Sequence, residues 1–430
     1  MASIAKVMLW GQTLGAVTWN ARRQVAEFEY DPAFIRRGLP VAPIMLPLRP
    51  GVFSFPALNR ETFHGLPGLL ADSLPDRWGN TLIKLWLQQQ KRPENDLDPV
   101  ERLLYQSTRA MGALEFQPRM KDAPSASAED LSIAALASVA SQVLKAKGEF
   151  KASLKGKHAH DLMDIIRVGT SAGGNRAKAV IAWNRKTDVV RSGQMTLPTG
   201  FEPWILKFDE VGDTANGQPS SFGRIEYAYH LMALACGIEM SECWLWEEGG
   251  RAHFMARRFD RTLKGEKLHL LSLCALAHLD HNDAGMHGYE SLFDVALRLD
   301  LGYAAAGQLF RRMAFNVLAR NQDDHTRNVG FLMGPEGRWR LAPAYDVAYS
   351  YNPQGPWTAQ HQMSIGGKRD GFVTEDLLAL GKRYGVKKAK DHLEAVADGV
   401  AGWARFSKSA GLEKKTIERI GKAHRLGMLK

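Results

Sequence analysis

The sequence predicts an α+β protein in two parts, a small β-rich N-terminal part and a mainly helical C-terminal part. Three observations lead there. Apolar and polar side chains alternate within residues 4–48, in VMLWGQTLGAVTW and QVAEFEY, with Gly11 and Gly15 marking turns; this is the period of strands. Strand-like AVIAWN and PWILKF lie nearer the middle of the chain, and from Leu268 onward the pattern is mainly helical. A hydrophobic fraction of 45% over 430 residues allows two or three domains, each with its own core.

The elements follow in order. After the β-rich start, a helical stretch runs from Gly68 through Leu87; SLPDRWGN interrupts or caps it, and IKLWLQQQ resumes the helical period. MGALEFQP, 111–118, reads as a closing strand, and PRMKDAPSASAED, 118–130, as a linker without apolar period. A helix is expected over 131–146, with Leu136, Val139, Val143 and Leu144 on one face and Asp130 near its N-cap. A further helix at 223–235 carries Ile225, Ala228, Tyr229 and Met232 and ends at Gly237. WLWEE and HFMARRF read as a hairpin. The expected division is 1–118, a linker and connecting helix at 119–158, and a larger part at 159–430 that itself divides near residue 262.

The chemistry concentrates in residues 319–350, ARNQDDHTRNVGFLMGPEGRWRLAPAYDVAYS. A helix with Phe310, Met313, Val317 and Leu318 on one side leads into NQDDHTRN, where four residues separate Asp323 from Asn328. The strand VGFLM, the turn GPEG and the returning strand RWRLA precede Asp346. Asn328 opens the outgoing strand and Asp346 follows the returning one, so a hairpin brings both to one end, with Asp323 on the loop before it. Oxygen side chains so placed suit Mg²⁺ and face a phosphate. Protein kinases use this order, with a proton-accepting Asp, a metal-binding Asn and a second metal-binding Asp. Asp323 takes the first role, and Asn328 and Asp346 hold Mg²⁺. Asp324 competes for the base role, although its spacing to Asn328 is one residue short. A polar loop with an Asx-turn is the bland alternative.

A kinase also needs a cation on the nucleotide phosphates, held by a glutamate. Lys207 closes the apolar strand PWILK, a costly place for an unpartnered ammonium, and Glu226 sits on the following helix. The two form a candidate pair; the alternative is a strand-edge lysine and an exposed helical glutamate. VGTSAGGNRAKA, 168–179, is a Gly/Ser loop in which Gly169, Gly173 and Gly174 let backbone amides approach phosphate oxygens.

Taken together, these segments resemble the HipA family of toxin kinases from bacterial toxin–antitoxin pairs, over nearly the whole chain. SLPDRWGN and MGALEF resemble its N-terminal subdomain, TSAGGNRAKA its phosphate loop, and WILKF the strand with the ATP-contacting lysine, here Lys207. The closing RRFDR of the run 225–261 resembles the hinge, which puts the adenine-contacting backbone at about Arg257, Arg258 and Phe259. NQDDHTRN and LAPAYDVAYS resemble the catalytic and metal-binding motifs. The resemblance implies a protein-kinase-like two-part fold, with ATP and Mg²⁺ as cofactors. It implies autophosphorylation in the loop, at Ser171 or the adjacent Thr170, although GGNRAK departs from the commoner loop pattern. It also implies a translation protein as substrate, notably an aminoacyl-tRNA synthetase, and a small helix-turn-helix, HipB-like antitoxin through which DNA is met indirectly.

The remaining features carry plainer readings. The net charge of +10 suits an acidic partner, nucleotide or nucleic acid, or simply a solubilising surface. It also motivates a different class of function, a nucleotide-binding antitoxin corepressor without turnover. A metal-dependent phosphohydrolase built on the DDH cluster is a third reading. LAHLDHNDAGMHGYES, 276–291, with His278, Asp280, His281, Asp283 and His287, reads as a polar loop between helices rather than a metal site. His325 has a structural reading, and the basic helix EKKTIERIGKAHR a solvated one. Cys236, Cys243 and Cys274 read as reduced, partly buried thiols. No apolar run approaches the roughly 20 residues of a membrane-spanning helix, and MASIAKVMLWGQTLGAVTW lacks a signal-peptide pattern, so a cytoplasmic protein without membrane contact is expected.

Overall fold

A computed structural model describes residues 3–125, 129–145, 157–170, 176–194, 196–209 and 221–429. The chain divides into two compact units, one of residues 1–220 with 246–270 and one of residues 221–245 with 271–430.

The first unit holds an antiparallel sheet of β1 (Ile4–Leu9), β2 (Gln12–Asn20), β3 (Val25–Tyr30), β4 (Val52–Phe53) and β5 (Leu114–Gln117), in the order β4-β3-β2-β1-β5. Its first turn has two residues, Trp10 and Gly11, both at positive φ (48° and 75°), the twist that joins neighbouring strands tightly. The expected β-rich stretch ends at Tyr30 rather than near residue 48. Asp31 caps a short helix, α1 (Pro32–Arg37), by accepting the N–H of Ala33, and proline at the first helical position is pre-set for that conformation.

Next come α2 (Arg60–Phe63), α3 (Gly68–Ala71), α4 (Arg77–Gln89) and α5 (Pro99–Gln106). SLPDRWGN does break the helical stretch, between α3 and α4. The helix expected from 131 is α6 (Ile133–Lys145); its start is held by Ser132, whose Oγ accepts the N–H of Ala135. Asp130 is not the cap, because its carboxylate is drawn 2.8 Å from Arg191. α7 (Lys157–Gly169) then leads to a second sheet of β6 (Lys178–Asn184), β7 (Val189–Ser192), β8 (Glu202–Lys207), β9 (Cys243–Glu248) and β10 (Arg251–Arg257), ordered β7-β6-β8-β10-β9. Trp78, Leu82 and Trp86 of α4, Leu136 and Val143 of α6, and Ile165 of α7 share one buried cluster with Trp183, Trp204 and Leu206 of that sheet. Burying such side chains stabilises by roughly 1.5–3 kcal/mol each.

The second unit is mainly helical. α8 (Phe222–Ala235) buries Ile225, Ala228, Tyr229 and Met232, as the spacing predicts. It ends where expected: Gly237 takes φ 69°, its N–H bonds Leu234 O, and the N–H of Ile238 bonds Ala233 O, the paired closure of a left-handed helix end. β11 (His269–Ser272) and the hairpin of β12 (Gly330–Met333) and β13 (Trp339–Leu341) form a three-stranded sheet. The remaining helices are α9 (Leu273–Ala277), α10 (Tyr289–Arg298), α11 (Gly302–Leu318), α12 (Thr374–Arg383), α13 (Ala389–Ala401), α14 (Trp403–Ser409) and α15 (Lys414–Ala423). α11 buries Phe310, Met313, Val317 and Leu318 completely. Among the described residues no helix is long and apolar enough to cross a membrane.

Candidate active site

The loop expected to carry chemistry leaves α11 through Arg320, whose φ of 58° turns the chain out of the helix. Ser350 holds the next residues. Its Oγ accepts the backbone N–H groups of Gln322 at 2.7 Å and Asp323 at 3.0 Å, and donates to Asn321 Oδ1 at 3.2 Å. Thr326 anchors the far end by donating to Leu279 O at 2.8 Å.

The neighbouring aspartates have opposite surroundings. The Asp323 side chain is 42% exposed, and its Oδ1 accepts Trp357 Nε1–H at 2.7 Å. Asp324 is wholly buried: it accepts Tyr289 O–H at 2.7 Å, His361 Nδ1–H at 2.8 Å and the Gln362 backbone N–H at 2.8 Å. Burial alone would raise the Asp324 carboxyl, but the His361 imidazole and these donors overcome it and hold it below the usual carboxylate range. The same pocket raises the Tyr289 hydroxyl well above its ordinary value, through burial first and the Asp324 charge second. The Asp323 carboxylate meets solvent and the Asp324 carboxylate does not. The DDH cluster therefore does not offer two outward carboxylates.

Asn328 closes the loop by donating Nδ2–H to the carbonyl of Asp323 at 2.8 Å. An amide engaged through its nitrogen offers its oxygen, the atom a hard cation takes. The hairpin forms as expected, with Phe331 opposite Leu341 and Met333 opposite Trp339. Beyond it Tyr345 O–H donates to Arg327 O at 2.8 Å, and Asp346 adopts φ 53°, a left-handed backbone that costs a non-glycine residue about 1–3 kcal/mol and collects at functional sites. Asn328 and Asp346 line one cavity together with Asn316, Asn321, Asp324 and Tyr345. A carboxylate and an amide among the side chains lining this cavity, which also include Arg312, are of the hard-oxygen type that Mg²⁺ takes.

In the first unit, Lys207 ends β8, the central strand of its sheet, opposite Lys178 on one side and Phe254 on the other. Its ammonium lies 5.6 Å from the centre of the Phe254 ring. Glu226, on α8 of the second unit, is buried, so the exposed-glutamate alternative falls.

Arg257 closes β10, and the backbone N–H of Arg258 bonds Pro203 O at 2.9 Å. The Arg258 side chain is not on offer to a ligand: it is buried and grips Asp260 through two bonds of 2.9 and 2.8 Å. Arg261 Nη1 also donates to Asp260 at 2.8 Å, and Asp260 accepts the Gly112 N–H at 2.7 Å. Burial would raise the Asp260 carboxyl, yet the two arginines hold it far below its usual range. The motifs MGALEF and RRFDR thus meet in one ion cluster. Phe259 is half-buried beside it.

Thr170 is buried at the end of α7, with Arg109 Nη1 3.5 Å from its hydroxyl and Gln106 Nε2 donating to its carbonyl at 3.1 Å. Ser171, Gly173 and Gly174 lie outside the described residues. The His- and Asp-bearing stretch at 276–291 is a loop between α9 and α10, as expected; Asp280, His281, Asp283 and His287 line a small cavity with His325. Among the described residues, the group of three clustered metal-capable side chains is Glu129, His160 and Asp164. There His160 faces Glu129 through Nε2 at 3.2 Å and Asp164 through Nδ1 at 3.1 Å, and Arg167 also bonds Asp164 at 3.0 Å. Cys236, Cys243 and Cys274 are buried thiols that form no disulfide among the described residues.

Sequence reasoning missed Ser350, Trp357, His361 and Tyr289. Ser350 ends the quoted motif LAPAYDVAYS, so its position was visible without its task. Tyr289 lies in the quoted stretch 276–291, which was read for its His and Asp residues, whereas Trp357 and His361 lie where no period or motif marks them.

A fold of this kind has known relatives. The family model of the HipA-like C-terminal domain matches residues 170–420, and that of the HipA N-terminal domain matches residues 5–117. The chain belongs to the HipA family. Its structure is similar to HipA of Shewanella oneidensis, solved with HipB and operator DNA, with a TM-score of 0.64 and 15% identity over 97% of this chain and 95% of that one. It matches the proinflammatory kinase CtkA of Helicobacter pylori at a TM-score of 0.32 and 13% identity, over 52% of this chain and 90% of that one. Among curated proteins no sequence matches. The fold class is the one expected, a mixed α/β chain with a β-sheet N-terminal region and a helical C-terminal region.

Proposed function

We propose that this chain is an ATP-dependent serine/threonine protein kinase and the toxin of a toxin–antitoxin pair. One observation carries the reading: an exposed Asp323 stands on a loop whose Asn328 lines a common cavity with the strained Asp346. Asp323 orients the acceptor hydroxyl and takes its proton as the oxygen bonds to the γ-phosphorus of ATP and the bond to ADP breaks. Asn328 and Asp346 hold Mg²⁺, which neutralises charge on the phosphates. Lys207, Gly173, Gly174 and the backbone at Arg257–Phe259 keep the nucleotide roles the family likeness gives them, and Glu226 keeps the glutamate role that kinase chemistry requires. Burial of Thr170 turns the autophosphorylation reading toward Ser171.

The likeness also supplies the context. HipA of Shewanella oneidensis is described with HipB and operator DNA, and we extend a HipB-like helix-turn-helix antitoxin to this chain, with DNA met through that partner. Its place of action is the cytoplasm, and an aminoacyl-tRNA synthetase is the first substrate to test. Transfer from labelled ATP to the protein itself or to a cell lysate is the direct assay. Asp323→Asn and Asp346→Asn should each lower transfer about 100-fold or more. Equal transfer by all three proteins would discard the assignment; nucleotide binding with no transfer at all would return the chain to the corepressor reading.

A further inference from the structure

Two side chains reach Asp323 Oδ1: the imidazole of His325, with Nε2 at 3.7 Å, and, within hydrogen-bond distance, the indole of Trp357. Trp357 donates Nε1–H to Asp323 Oδ1 at 2.7 Å. A tryptophan N–H can only donate; it cannot accept the proton that a base receives, so it never competes with the carboxylate for that proton. It engages one carboxylate oxygen and leaves the other for an acceptor hydroxyl. It does not bury the group either, since the Asp323 side chain keeps 42% of its exposure.

Trp357 is itself held from several sides. The buried Gln362 donates from Nε2 to the Trp357 carbonyl. The Asn352 N–H bonds Thr358 O at 3.2 Å, and Gln322 Nε2 reaches Ala359 O at 3.4 Å. Gln362 is in turn fixed by its backbone N–H on Asp324 Oδ1 at 2.8 Å. The bonds close a circuit: buried Asp324 fixes Gln362, Gln362 fixes Trp357, and the Trp357 indole fixes exposed Asp323. The two adjacent aspartates are joined both through the backbone and through this second route.

We propose that Trp357 is a positioning residue that locks the Asp323 carboxylate for phosphate transfer, with Asp324 as the buried anchor of the lock. The proposal rests on the kinase reading. A free aspartate turns about two side-chain bonds, whereas productive geometry tolerates an error of only about 0.5 Å. A carboxylate misplaced by about 1 Å can lose about 100-fold in rate.

Two measurements test it. In the first, Trp357→Phe keeps a large ring and loses the N–H. Self-transfer and transfer to casein should slow about 10- to 100-fold at saturating ATP, with the KM for ATP unchanged. In the second, the protein is labelled with ¹⁵N-tryptophan and the Trp357 indole resonance is assigned by its loss in Trp357→Phe. Asp323→Ala should move that resonance and speed its hydrogen exchange. This second readout needs no activity and, with the assignment made from Trp357→His instead, does not depend on the phenylalanine variant folding. An indole signal indifferent to Asp323→Ala would overturn the proposal. So would a Trp357→Phe protein that transfers at the wild-type rate or faster, the latter marking the indole as a cover. An indole coupled to Asp323 in a wild-type protein that transfers no phosphate would sink the kinase reading and the positioning role with it, while leaving the contact in place.

Discussion

Ser350 Oγ lies 3.0 Å from the backbone nitrogen of Asp323, so one hydroxyl joins the segment that follows Asp346 to the loop that bears the candidate base. The same oxygen takes the N–H of Gln322, a residue with no exposed surface. Ser350→Ala leaves both N–H groups without this acceptor, at a cost of about 1–3 kcal/mol. Thermal unfolding should show the loss, and phosphate transfer should fall with it. Ser350→Thr, which retains the hydroxyl, should recover most of both.

Asp323 and Asp324 should separate cleanly by experiment. Asp323→Asn keeps the Oδ1 that accepts the Trp357 N–H and should cost no more than about 1 kcal/mol in stability, while lowering transfer about 100-fold or more. Asp324→Asn should cost about 3–5 kcal/mol in urea unfolding, because it breaks a buried pair with His361. The pH dependence adds a sign. The folded Asp324 carboxyl titrates below its unfolded value of about 3.9. Its stabilisation is therefore complete above that value and is lost as pH falls through the folded one. The asparagine variant should lack that part of the acid unfolding curve.

His253 predicts a milder acid effect. Its Nδ1 accepts the Asp209 N–H at 2.8 Å, which requires the neutral ring. Burial pushes its pKa down to about 4, against a smaller opposing pull from Asp209. The folded value lies below the unfolded one of about 6.5, so the unfolded chain takes up the proton first. Stability should fall as pH drops from about 6.5 toward about 4. The slope over that window, measured by chemical unfolding, should be shallower in His253→Gln.

Asp260→Asn should be among the most damaging single changes in the first unit. It leaves the buried Arg258 guanidinium and its neighbour Arg261 without their shared counter-charge, at about 3–5 kcal/mol. Urea unfolding checks the loss. Replacing Glu115, which is partly exposed and pairs with Lys267 at 2.7 Å, should cost no more than about 1 kcal/mol.

Much of the backbone around the candidate site was legible because its signals are local. D-x4-N, a hairpin and a closing aspartate are set by spacing, and the hairpin forms with Phe331 opposite Leu341. The choice between Asp323 and Asp324 was not local. It is decided by Tyr289 and His361, 35 and 37 residues away, which bury one carboxylate and leave its neighbour outside. Residues 351–373 escaped reading because they have no period; their order comes from single hydrogen bonds, not from a repeating face. The short α1 was legible in principle, since Asp31 followed by Pro32 is a cap followed by a helix start, but strand alternation just before it masked the change. The adjacent pair Asp130 and Ser132 shows the same limit: either can cap a helix, and a distant arginine, Arg191, decided which one does.

The bond from the Gly112 N–H to Asp260 spans 148 positions of sequence, and Trp78 Nε1 reaches the Lys178 carbonyl across 100 more of the same unit's chain. The inherited border, where one family segment stops at residue 117 and the next begins at 170, is therefore not a mechanical border. Cutting there would tear ion pairs and sheet-side anchors instead of freeing a module. A gene trimmed to its second family segment would have to grow a replacement for what the amino-terminal hundred residues now brace.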